Sequence, residues 1–100
     1  MLSKEQLFFI KLAEECSEVS KVALKIAQFG VDNCHPETGA NNWDRLKEEL
    51  DDLFSVVMCL ATEFNYIYLP PTPAVIRRKK EKIDKYAKIS HNLGYVESYN

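Results

Sequence analysis

Neither a strong net charge nor a long apolar run is present in this 100-residue chain. The formal charge is −2 at pH 7, which leaves no electrostatic footprint for a nucleic acid polymer or an anionic membrane surface. No uninterrupted apolar stretch approaches the ~20 residues that a bilayer span requires. The opening Met-Leu-Ser-Lys-Glu-Gln lacks the apolar core of a signal peptide. Cysteine is scarce as well. Cys16, Cys34 and Cys59 are odd in number and two of them sit in helical patterns, so reduced thiols in a cytosolic setting are expected. Cys34 and His35 make at most half of a zinc site, because no second Cys/His pair stands at ligand spacing. Internal repeats and low-complexity segments are missing too.

What remains is a globular composition, 46% apolar, in a length that suits one domain over residues 1–100. A chain this short buries only roughly two-thirds of its unfolded surface. Part of its apolar surface is therefore expected to be completed by a second copy, in a symmetric dimer or a dimer of dimers.

The pattern is helical throughout. Ser3 and Gln6 have the spacing of a capping box, and Phe8, Leu12, Cys16, Val19, Ala23 and Ile26 follow as a stripe. Gly30 ends a first helix over residues 4–29. Breaker-rich residues 30–42 read as a loop, with Asn41 or Asn42 capping the next helix. That helix, over 43–65, carries Leu46, Leu50, Leu53, Val57, Leu60 and Phe64 on one face. Residues 66–71 read as extended or turn. Thr72 and Pro73 then open a third helix that continues to about residue 89. The fold class is all-α, a helical bundle.

Charge is segregated along this frame: acids cluster at 14–18 and 48–52, bases at 77–85. On the first helix Glu15 borders the apolar stripe, with Glu14 and Glu18 just beyond it. On the second, Glu49 projects among Leu53, Val56 and Leu60, Asp52 sits at the edge, and Glu48 and Asp51 rotate outward. Either run alone reads as a solvated face. Together they place two acids one turn apart at the margin of each of two stripes. Antiparallel packing through those stripes would gather four carboxylates, which resist joint ionisation unless cations compensate. Oxygen-only donors with incomplete coordination suit Mg²⁺.

The spacing E-E-x-x-E at Glu14, Glu15 and Glu18, followed by E-x-x-D at Glu49 and Asp52, resembles the MazG-like all-α nucleotide pyrophosphohydrolases. The longer run through Lys25, Phe29, Gly30, Asn42, Arg45 and Leu46 is similar to the short members of phages and bacteria, over residues 5–90. The resemblance implies hydrolysis of (deoxy)nucleoside triphosphates, dATP or dGTP among them, to the monophosphate and pyrophosphate. It also implies Mg²⁺, with Mn²⁺ as a substitute. Metal ligands fall at Glu15, Glu18, Glu49 and Asp52, and Glu14 or Glu15 acts on the attacking water. Many relatives place an asparagine among the bases of the last helix. Here the segment reads Arg77-Arg-Lys-Lys-Glu-Lys-Ile-Asp-Lys-Tyr86.

Phosphate candidates are Lys79 and Lys80, which flank the stripe of Ile76 and Ile83. Lys82 and Lys85 match the family's basic spacing, and Lys25 shares the face of Glu18. A base would be met by Asn42, Phe8, Tyr66 or Trp43, although a helix or subunit contact is the stronger expectation for Trp43. Three alternatives stand beside this reading: phosphoribosyl-ATP hydrolysis on similar helices, a non-catalytic dimerisation module whose acids are only a surface, and a degenerate family member that binds nucleotides without cleaving them.

Overall fold

The computed structural model describes residues 1–33 and 36–97. Cys34 and His35, weighed above for zinc, lie outside the described residues. Three α-helices follow in order: α1 (Lys4–Phe29), α2 (Asn42–Phe64) and α3 (Pro73–Asn92). Two compact units divide the chain, residues 1–68 and 69–100.

The first unit is a helical hairpin. Ser3 accepts from the Gln6 amide at 3.0 Å while the Gln6 side chain accepts from the Ser3 amide at 2.8 Å, the reciprocal cap that its spacing foretold. Gly30 stops α1 at φ 90°, a conformation that a side chain disfavours. Asn41 accepts from the Asp44 amide at 2.8 Å, so α2 starts one residue earlier than its pattern suggests. Asn65 ends it in the left-handed region. Lys4 meets Glu63 at 2.6 Å and Phe8 packs edge-on against Phe64 with centroids 5.7 Å apart. Those contacts join the start of α1 to the end of α2 and make the pair antiparallel.

At the other end the junction is polar. Asn42 is 4% exposed; its amide donates to the Gly30 carbonyl at 3.0 Å and its oxygen accepts from Arg45 at 3.4 Å. Backbone bonds from Asn42 to Asn33 (3.0 Å) and from Trp43 to Val31 (3.3 Å) fasten the loop alongside. Asn42→Ala removes both side-chain bonds from a buried site and is expected to destabilise the chain by about 1–3 kcal/mol; urea denaturation reads this directly. Val22 and Leu60, each 5% exposed, are the apolar side chains buried in the seam.

The second unit contains α3. Thr72 caps it, accepting from the Val75 amide at 3.3 Å, and Pro73 occupies the first turn. The helix runs three residues beyond its expected end because termination waits for Gly94, at φ 84°. Bonds from Leu93 to Ile89, Gly94 to His91 and Tyr95 to Ser90 close that end.

Candidate functional site

The hairpin brings acids from two distant parts of the sequence together. On α1, Glu15 falls one turn after Leu12 and one before Val19, and is half-buried in the seam. On α2, Glu49 is half-buried and Asp52, one turn on, lies exposed at the rim. One carboxylate oxygen from each of the three lies within 4.8 Å of the others.

The electrostatics follow from that convergence. Glu49 holds its proton above the ordinary glutamate range, first because it is partly desolvated between the helices. The negative charges of Glu18, Asp52, Glu15 and Glu48 then add to the effect. Each neighbour makes ionisation of Glu49 harder, and a cation would reverse the balance. All three donors are hard oxygens, which favours hard divalent ions over zinc or copper. Three carboxylates also leave coordination positions for water or ligand oxygens. The three carboxylates could therefore hold a metal ion.

The remaining sequence candidates divide. Glu18 acts on Glu49 from beside the triad, but its carboxylate turns to Lys21 at 3.5 Å. That exposed i,i+3 pair is worth at most about 1 kcal/mol, so an arriving cation could recruit Glu18. Glu14 points further outward and pairs with Lys11 at 3.1 Å. Lys25 lies on the same side of α1 as Glu18, two turns along. Asn42 has its amide and oxygen engaged in the α1–α2 junction described above. Phe8 is committed to Phe64 in the seam. Tyr66 packs 6.2 Å from Phe9, and its hydroxyl donates to Glu5, whose charge keeps the phenol protonated above its usual range, with desolvation and the hydrogen bond adding to the shift.

Within the second unit, Lys79 and Lys80 do flank Ile76 and Ile83, lining one shallow groove with Pro71 and Val75. Lys80 is bound to Asp84 at 2.9 Å. Lys82 lies near Lys79 and Arg78.

One residue beside the site was not singled out from sequence: Lys21, signalled by its i,i+3 spacing from Glu18. Arg45, part of the run that carries the resemblance, is half-buried and donates to Asn42 at 3.4 Å.

Comparison with known proteins supplies no relative: no family model, no curated protein and no solved structure matches the chain. Among the described residues no helix is long and apolar enough to cross a membrane.

Proposed function

We propose that this chain is a Mg²⁺-dependent nucleoside triphosphate pyrophosphohydrolase of the MazG-like kind, releasing the monophosphate and pyrophosphate. The observation that carries the reading is the meeting of Glu15, Glu49 and Asp52 oxygens within 4.8 Å, on the motif spacing that the family uses. In support, Glu15 and Glu49 are half-buried at the seam, where a carboxylate is costly without a compensating charge.

In this reading Glu15, Glu49 and Asp52 hold the ion, and Glu18 joins on release from Lys21. When bound, the ion neutralises triphosphate oxygens and lowers the pKa of a coordinated water. Glu15, joined by Glu14 on its release from Lys11, would orient the attacking water toward the α-phosphorus, and one of the two would accept its proton. Charge on the leaving pyrophosphate calls for further cations; on the hairpin the candidate is Lys25. The chain would act as a homo-oligomer; in support, Val22 and Leu60 are the only apolar side chains almost completely buried among the described residues.

The test is a panel of NTPs and dNTPs, dATP and dGTP first, with phosphoribosyl-ATP as a separate arm and Mg²⁺ or Mn²⁺ as the metal. Monophosphate and pyrophosphate should form in equal amounts and only with the metal. Orthophosphate as first product, or turnover confined to phosphoribosyl-ATP, would displace the proposal.

A further inference from the structure

Six lysine and arginine side chains lie in the residue 1–68 unit. Four are paired with acids: Lys4 with Glu63, Lys11 with Glu14, Lys21 with Glu18 and Lys47 with Asp51. Lys25 and Arg45 make no ion pair among the described residues. At about 100° per residue, both fall on the side of the seam that carries Glu18 and Asp52. Glu15 comes to Asp52, and further along Gly30 meets Asn42. The stretch of α1 level with Arg45 is therefore about residues 22–27, and Lys25 lies within it. Both cations thus stand on the loop side of the acids, with Arg45 about 6 Å before Glu49 along α2. Arg45 is half-buried and pairs with neither Glu48 nor Glu49, three and four residues on; a base ahead of an acid is the weaker order on a helix. Its Nη1 donates to the Asn42 oxygen at 3.4 Å, a long bond. Nε and Nη2 are left without a partner among the described residues.

We propose that Arg45 and Lys25 seat the terminal phosphates of the substrate, so that the triphosphate lies along the acid-bearing side of the seam with its pyrophosphate end toward the Gly30–Asn42 junction. The inference deepens the pyrophosphohydrolase reading above and rests on it. A half-buried guanidinium without a counter-charge is costly, and an anionic group removes that cost. The free edge of the guanidinium is a planar fork that matches two phosphate oxygens at once. Lys25 adds a flexible point charge at the same height. Asn42, anchored to the Gly30 carbonyl at 3.0 Å, steers the fork before a ligand arrives, which lowers the ordering cost of binding. Asn42 is therefore a positioning residue for Arg45. The order along the seam, acids and then unpaired cations, sets the direction of the ligand. The α-phosphate belongs near Glu15, and the departing pyrophosphate belongs on the charges that stabilise it. Toward the opposite end, Lys4 and Lys11 are already neutralised by Glu63 and Glu14, so that end offers phosphates no free charge.

Titration calorimetry with Mg²⁺ tests this without relying on turnover. The probes are inorganic pyrophosphate, dAMP and a dATP analogue whose α–β bridge is a non-hydrolysable imide. Arg45→Gln should weaken pyrophosphate and the analogue on the order of 10–100-fold, the loss expected for a hydrogen-bonded charge. It should leave dAMP within about threefold, because dAMP has no terminal phosphates to lose. Lys25→Gln should show the same split at roughly severalfold, as suits a more exposed charge. Lys47→Gln, on the outward face with Asp51, should leave all three ligands within about twofold. A wild type that binds neither pyrophosphate nor the analogue sinks the pyrophosphohydrolase reading, and the seat with it. A wild type that binds both, with Arg45→Gln and Lys25→Gln unchanged, overturns the seat alone. Equal weakening of dAMP and the analogue overturns the direction of the ligand. Should Arg45→Gln lose helix content by circular dichroism, Lys25→Gln decides, since Lys25 is exposed: pyrophosphate bound as tightly as in wild type overturns the proposal.

Discussion

Glu49→Gln is expected to lower triphosphate turnover at least on the order of 10²–10³-fold, the loss typical when one group that stabilises transition-state charge is removed. The substitution keeps the shape of the side chain and replaces an anionic donor with a neutral amide. Glu49 is the central member of the cluster: Asp52 is one turn away on its own helix, Glu15 faces it across the seam, and four acids act on its charge. Helix content should not change, because glutamine and glutamate have nearly equal helix propensity. The informative control is Asp51→Asn. Asp51 belongs to the same acidic run but turns outward to Lys47 at 2.7 Å, so its loss should leave turnover within about twofold, as expected for an exposed pair. Pyrophosphate release measured on both variants separates the cluster from the run. Equal rates in a folded Glu49→Gln protein would remove the acids from the chemistry altogether.

Stability should respond to the metal in the same residues. An ion that binds only the folded chain adds about 2.7 kcal/mol at one hundred times its Kd. In a domain of this size that moves Tm by roughly 10–20 °C. Without metal the sign of the pH dependence is set by Glu49. Its proton is held more tightly in the folded chain than at the ordinary value of 4.5, so the folded state binds more protons there. This group's contribution to stability therefore falls as pH rises from about that value through the raised one, opposite to a salt-bridged acid. Glu49→Gln should accordingly stabilise the metal-free chain at neutral pH while abolishing the rise with Mg²⁺. The Mg²⁺ increment in wild type should grow between pH 5 and pH 7.5, because the ligands must be ionised to bind. Thermal unfolding at both pH values, with and without Mg²⁺, checks all three. A Tm indifferent to Mg²⁺ throughout would leave the triad a patch of surface charge.

The amino-acid sequence by itself determined the helices, their caps and the sidedness of each. These are local properties: the reciprocal bonds of Ser3 and Gln6 or the Pro73 start lie within one turn, and the apolar stripes repeat every three to four residues. The end of α3 was less legible because nothing before Gly94 stops the helix. Only the tertiary structure decided how α1 and α2 slide against each other. That register comes from Lys4 with Glu63, Phe8 with Phe64, and the buried Asn42 at the loop, contacts between residues that no local window joins. It brought Glu15, Glu49 and Asp52 together, left Glu18 beside them on Lys21, and sent Tyr66 to Phe9 and Glu5. Helical periodicity fixes the direction of each side chain around its own axis. Packing fixes the height at which two axes meet, and a metal site needs both.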